Sequence, residues 1–366
     1  GLNFFPLIFL FACFIALINA VLFSNNRFYI APLTVALFNV MIILFFCFVD
    51  LSNFNIFWFS CWFLAAISLR LFLLSLPVVP FIKSVTFGTI KKQKKYWGVF
   101  TMGLMSFGTF AIAPTAFRSV YAIQGDGFLA IFSFANKLFE VPMGLIVGTI
   151  TTILLPYASG LIAKGSDEYE EIFIEVLRAT FALAVISLIL TLLFIPFYVE
   201  LFFEHGVLEK IDTQQISIAT KTMFIGAPFA AISLILIVHL NANDSAEKIV
   251  FSLAPCLVIS LFFAKAGNIY TFGLDQSIFA LNLFYFLSCS CLMIHSFPKK
   301  KTLRSAINLM TLDVIPIITV AVPLLFVMET LEHIGLFTGI FLSIISAIGF
   351  CMIKWKLFER LAKFRV

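Results

Sequence analysis

FALAVISLILTLLFIPF, residues 181–197, runs without a single charged side chain. It does not alternate between apolar and polar positions, as the strands of a membrane barrel do. Charge-free stretches of this kind recur along the whole 366-residue chain, which is 62% hydrophobic and 12% charged. The mean hydropathy is +1.09. A soluble domain is about half apolar and about a quarter charged. Surface-to-volume scaling leaves too much of any soluble fold exposed to water for a core to absorb this much apolar surface. Lipid tolerates it, provided every backbone polar group is satisfied within the segment. Long unbroken apolar runs therefore predict an all-α polytopic membrane protein.

A spanning helix needs roughly 20 apolar residues. Breaks at charged, Gly/Pro and Asn/Asp clusters predict about eleven spans, near 4–23, 29–49, 56–82, 97–122, 127–160, 172–203, 215–240, 248–265, 270–296, 305–329 and 334–354. The opening run, 2–23, is too long for the apolar region of a signal peptide and lacks a basic leader. It is expected to be a true span.

The net charge of +5 is unevenly placed. Alternate connections hold Arg27, then Lys83, Lys91, Lys92, Lys94 and Lys95, then Lys164, Lys248, Lys299, Lys300, Lys301 and Arg304, then the basic tail 354–366. The other connections hold Lys210 and Lys265 with acids such as Asp50, Asp126, Glu204, Asp212 and Glu332. The positive-inside rule puts the first set in the cytoplasm. Gly1 then lies outside and Val366 inside, the parity that an odd number of spans requires. The most polar connection, 83–96, separates a front block of three spans, within 1–82, from a longer back block. It serves as a topology signal or as a seat for anionic headgroups. Residues 167–175, DEYEEIFIE, read as an acidic first turn that suits a helix dipole.

All seven cysteines lie in apolar runs and read as small hydrophobes. Cys289 and Cys291 point to different faces of one helix, which disfavours a metal site. No cofactor is expected. The four histidines are scattered, and no Ser/His/Asp set, phosphate loop or carboxylate cluster appears. That argues against a lipid-modifying enzyme.

Charges inside spans are costly and mark functional candidates. Arg70, Arg118, Lys137 and Lys221 are the basic ones, while Glu140 and Asp313 are the acids well inside spans. Glu140 follows Lys137 by three residues, so the two share a helix face. Pro142 and Gly144 come within about a turn and would break the helix where carbonyls could face a cavity. A local ion pair is the competing account of Lys137 and Glu140. Snorkelling competes at Arg118. Asn39 would act as interhelical glue. Inward cations with broken helices suit a transporter of an anionic substrate. Scarce acids disfavour a multidrug or cation antiporter.

Three stretches resemble the MurJ/MviN family of lipid II flippases, within the multidrug/oligosaccharidyl-lipid/polysaccharide exporter superfamily. NNRFYIAPLTVALFNVMII, 25–43, matches a family segment at Asn25, Arg27, Phe28, Pro32 and Asn39. GDGFLAIFSFANKLFEVPMGLIVGTITTILLP, 125–156, matches the strongest signature, A-D/N-R/K-L-x-x-x-P-x-G followed by T-x-L-L-P. Ala135, Asn136, Lys137, Leu138, Pro142, Gly144, Thr152, Leu154, Leu155 and Pro156 carry it. ELFFEHGVLEKIDTQQ, 200–215, resembles a family loop.

The resemblance implies a two-lobed architecture of fourteen helices, of which this chain would carry the fourth to the fourteenth. Residues 1–82 would then be the remainder of an incomplete N-lobe, 83–96 a cytoplasmic linker, 97–298 the C-lobe, and 299–366 two C-terminal helices with a basic tail. It implies a flippase of the inner (cytoplasmic) membrane, moving lipid-linked peptidoglycan precursor by alternating access. Partners would be that lipid, the surrounding membrane lipids and cell-wall synthesis proteins, with no nucleic acid. A flippase for another undecaprenyl-diphosphate-linked glycan obeys the same physics. Substrate would meet Lys137, Arg118, Arg70, Asn136 and Glu140, with Pro142 and Gly144 as the helix break. Lys137 stands where the family usually has Arg, and Asn136 replaces an acid. Some relatives bind sodium through an acid on the seventh helix, but the matching segment, 97–122, has none.

Overall fold

The computed structural model describes residues 4–24, 27, 30–48, 56–79, 93–122, 127–163, 168–203, 210–269, 274–297 and 299–330. The chain divides into two units, Gly1–Lys92 and Gln93–Val366. The division falls inside the basic connection 83–96, most of which lies outside the described residues.

The first unit holds α1 (Phe5–Ser24), α2 (Ile30–Phe48) and α3 (Ile56–Ser75). In each, apolar residues surround the whole helix, as lipid allows. Ile15 and Leu22 of α1 meet Ile67 and Leu74 of α3 in a small buried cluster. Aromatic side chains join α2 to α3: Phe45 lies against Phe59 at 5.4 Å and Phe38 against Phe63 at 5.3 Å. The Trp62 indole N–H donates to the Met41 carbonyl at 2.7 Å. A donor facing hydrocarbon needs such a partner.

The second unit holds α4 (Gln93–Tyr121), α5 (Phe128–Met143), a π-helical turn (Gly144–Gly148), α6 (Thr149–Ala163), α7 (Glu168–Phe203), α8 (Lys210–Phe224), α9 (Ala227–Ala242), α10 (Ala246–Ile269), α11 (Leu274–Ser296) and α12 (Lys300–Thr330). The innermost helix is α9, with eleven buried residues from Ala227 to Leu240. Ala230 and Ala231 let its neighbours approach closely. The 36 residues of α7 reach about 54 Å at 1.5 Å each, well beyond the hydrocarbon core of about 30 Å. Its first turn, with the exposed Glu170 and Glu171, can therefore stand in water, where acid complements the helix N-terminus.

Among the described residues, six helices are long and apolar enough to cross a bilayer, and a bent pair adds a seventh. Ten of the eleven expected spans fall on helices, while 334–354 lies outside the described residues. The molecule is an all-α, multi-pass membrane protein. Lipid-facing positions carry large exposed apolar side chains such as Phe48, Phe251 and Phe262.

Two expected spans are less simple than a continuous apolar run suggests. The span 215–240 is two helices, Asp212–Phe224 and Ala227–Ala242, bent by 47°. Gly226 and Pro228 lie at the bend, and Pro228 cannot donate to the Phe224 carbonyl four residues earlier. The span 127–160 contains the π-helical turn directly after Pro142. Proline and wide turns are the usual causes of such irregularity.

Candidate functional site

One face of α5 is buried and the other is open. Ile131, Phe132, Ala135, Asn136, Phe139 and Met143 face inward at helical spacing. Lys137 and Glu140 point outward, their side chains 67% and 47% exposed. Lys137 lies nine residues beyond Phe128, about 13 Å along the axis. That is near the middle of the candidate span Phe128–Gly148. Leaving a lysine there against lipid costs about 2.5–3.5 kcal/mol, so an exposed lysine calls for polar surroundings.

The side chains are tied together. Lys137 Nζ and Asn136 Nδ2 both donate to the Glu140 carboxylate, one to each oxygen. The first link spans three residues and the second four, the two spacings that share a helix face. Asn136 is fully buried, and its Oδ1 has no hydrogen-bond partner among the described residues. The carboxylate thus orients both an exposed cation and a buried amide. Ser133 and Gly144 continue the stripe four residues to either side of the Lys137–Glu140 pair. Beyond Pro142, the π-helical turn widens the backbone from Gly144 to Gly148.

Arg118 lies in the last turn of α4, and its Nε is buried without a partner among the described residues. Arg70 belongs to the first unit. Its guanidinium carbon sits 6.0 Å from the Phe38 ring centroid, and its Nε is likewise buried and unpaired among the described residues. Lys137, Asn136 and Glu140 therefore form one cluster with Pro142 and Gly144 adjacent, while Arg118 and Arg70 stand on other helices. Lys221 occupies the last turn of α8.

The structure also pairs an acid whose partner the sequence leaves unassigned. Asp313 of α12 accepts from Arg178 Nε at 2.7 Å and from Arg178 Nη2 at 2.9 Å. The two side chains are 25% and 21% exposed. Both are about ten or more residues into their helices, and matching depth of opposite charges is the signal that could have joined them. Near them, Leu183 and Ile186 of α7 and Ile317 of α12 pack against the buried Ala179 and Ala182.

No group of three or more His, Cys, Asp or Glu that could hold a metal occurs among the described residues. Cys291 faces Cys256 across α10 and α11 with sulfurs 3.8 Å apart. His239 Nδ1 lies 2.6 Å from the Tyr169 hydroxyl, and His295 bonds Ser252. On α4, Ser106 exchanges hydrogen bonds with Asn241 of α9.

Comparison with solved structures finds "Lipid II flippase MurJ, inward closed conformation", at 18% identity and a TM-score of 0.65. The match covers 95% of this chain and 72% of that one. At that identity the likeness concerns the fold. Comparison with curated protein sequences gives no match. The family model described as lipid II flippase MurJ matches residues 2–346. With nearly the whole sequence matched, the chain belongs to the lipid II flippase MurJ family.

Proposed function

We propose that this chain carries lipid II from the inner to the outer leaflet of the bacterial inner membrane by alternating access. Family membership supports the substrate. The observation that carries the mechanism is Lys137, exposed midway along the candidate span Phe128–Gly148 and held by Glu140. Lipid II joins an anionic diphosphate and a large polar headgroup to a polyprenyl tail. The tail can stay in hydrocarbon, while the headgroup needs a polar path with cations along it. Lys137 supplies a point charge for the diphosphate, less directional than the planar fork of arginine. Arg118, with a buried Nε that lacks a partner among the described residues, supplies further cation within the second unit, and Arg70 supplies one within the first. Pro142 and Gly144 let the helix bend as access alternates.

The test is the accessibility of lipid II at the outer surface of cells depleted of this protein. Exposure falls if lipid II is the cargo. Unchanged exposure, with another undecaprenyl-linked glycan retained inside, assigns the protein to that glycan instead.

A further inference from the structure

The α8–α9 break has a buried side, at Phe224 and Gly226, and an exposed one, at Ile225, and in lipid neither side offers water to freed backbone groups. In an unbroken helix the Thr222 carbonyl would take the Gly226 amide. Here Gly226 N–H donates instead to Met223 O at 3.1 Å, and Ile225 N–H reaches Thr222 O at 3.3 Å. The strong bond to Thr222 O comes from a different helix: Asn282 Nδ2 of α11 donates to it at 2.7 Å. Asn282 is buried. Its amide thus caps the opened turn.

Gly226 makes that cap possible. A Cβ at this position would stand 2.3 Å from Asn282 Oδ1 and 2.9 Å from Tyr285 Cδ2. The missing side chain is the space in which Asn282 sits. Asn282 Oδ1 has no hydrogen-bond partner among the described residues. One bond made and one buried acceptor unfilled describes a joint that another arrangement could satisfy better.

The break also touches the helix that carries Lys137. Phe224, two residues before Gly226, packs edge-on against Phe139 of α5 at 5.3 Å. Phe139 stacks on Tyr285 at 5.9 Å with rings 9° apart. Phe139 sits between Lys137 and Glu140 in sequence. A change in bend angle moves Phe224 against Phe139, and so moves the polar stripe on the opposite face of α5.

We propose that Asn282 is a positioning residue for translocation: it latches the α8–α9 break at the angle that holds α5, and breaking its bond to Thr222 lets the joint flex. The proposal rests on the flippase function above. Among the described residues the hydrogen bond of Asn282 goes to Thr222 and not to a candidate substrate-binding side chain, so its loss should slow movement without weakening binding.

The experiment uses the natural gene product in proteoliposomes with lipid II, measuring equilibrium binding and flipping rate separately. Asn282→Ala and the near-isosteric Asn282→Leu both remove the donor to Thr222 O. The expected result for at least one folded variant is a flipping rate reduced about tenfold with lipid II affinity within about twofold of the wild type. Flipping at the wild-type rate overturns the latch. So does a parallel loss of binding and rate, which would mark a residue of the binding site or of general packing. Failure of both variants to accumulate as folded protein assigns Asn282 to folding and also overturns it. If the wild type itself moves no lipid II, the flippase function fails, and the result is distinguishable from all of these.

Discussion

Arg178 and Asp313 join α7 to α12 through two parallel hydrogen bonds, Nε to Oδ2 at 2.7 Å and Nη2 to Oδ1 at 2.9 Å. Both side chains are mostly buried, so removing either takes the two-bond partner away from the charge that stays. Asp313→Ala or Arg178→Ala is expected to destabilise the protein by about 3 kcal/mol. Replacing both with leucine should cost far less, because no lone charge remains. Thermal unfolding of the four proteins in detergent checks this. Equal losses for the single and double variants would contradict it.

Lys137→Ala is expected to abolish growth support in a bacterium depleted of its own flippase, while Lys137→Arg retains it. The proposed contact with the diphosphate needs charge at this position, and arginine keeps it. Normal growth on the alanine variant would remove Lys137 from the substrate path.

Glu140 both orients Lys137 and neutralises it. Glu140→Gln keeps an acceptor for the neighbouring donors but deletes the negative charge. Affinity for the anionic headgroup should rise by about tenfold, on the scale of one charge-assisted hydrogen bond. Flipping should slow, since a tighter ground state releases cargo less readily. Binding and flux measured on the same preparation separate the two effects. Weaker binding would count against competition between Glu140 and substrate.

Glycines 144 and 226 should respond in opposite ways to alanine. At Gly144 an added Cβ meets nothing within 4 Å, so the protein should fold and gain up to about 1 kcal/mol of helix stability. Its flipping should nevertheless fall if the π-helical turn must flex. At Gly226 the Cβ strikes Asn282 and Tyr285, and overpacking should cost about 1–3 kcal/mol. Melting temperatures rank the two variants, and the reverse ranking would refute the packing described at the break.

The helices were legible because lipid demands little beyond length and apolarity, and 30–48 or 181–197 supply both. The shared face of Lys137 and Glu140 was legible from spacing alone. Other features were not, for definite reasons. Arg178 and Asp313 are 135 positions apart, and no local pattern links them. Gly226 and Pro228 stand in an apolar run where membrane helices often tolerate such residues. Whether they bend the chain depends on what satisfies the freed carbonyl, and that group is Asn282, 60 positions away. The turn after Pro142 is similar: proline announces an irregularity, but no local residue pattern announces that it takes the form of a π-helical turn.

The pairing of Lys137 with Glu140 has an electrical consequence. Moving one elementary charge across the whole membrane exchanges about 2.3 kcal/mol per 100 mV with the transmembrane potential. Lys137 and Glu140 move together on one helix, and their charges sum to zero. The field therefore does almost no net work on the pair, whichever way α5 shifts. An anionic headgroup bound at Lys137 would add its own negative charge to what moves. In such a cycle the empty return is nearly silent to voltage at this site, and the voltage-sensitive step is the one that carries cargo.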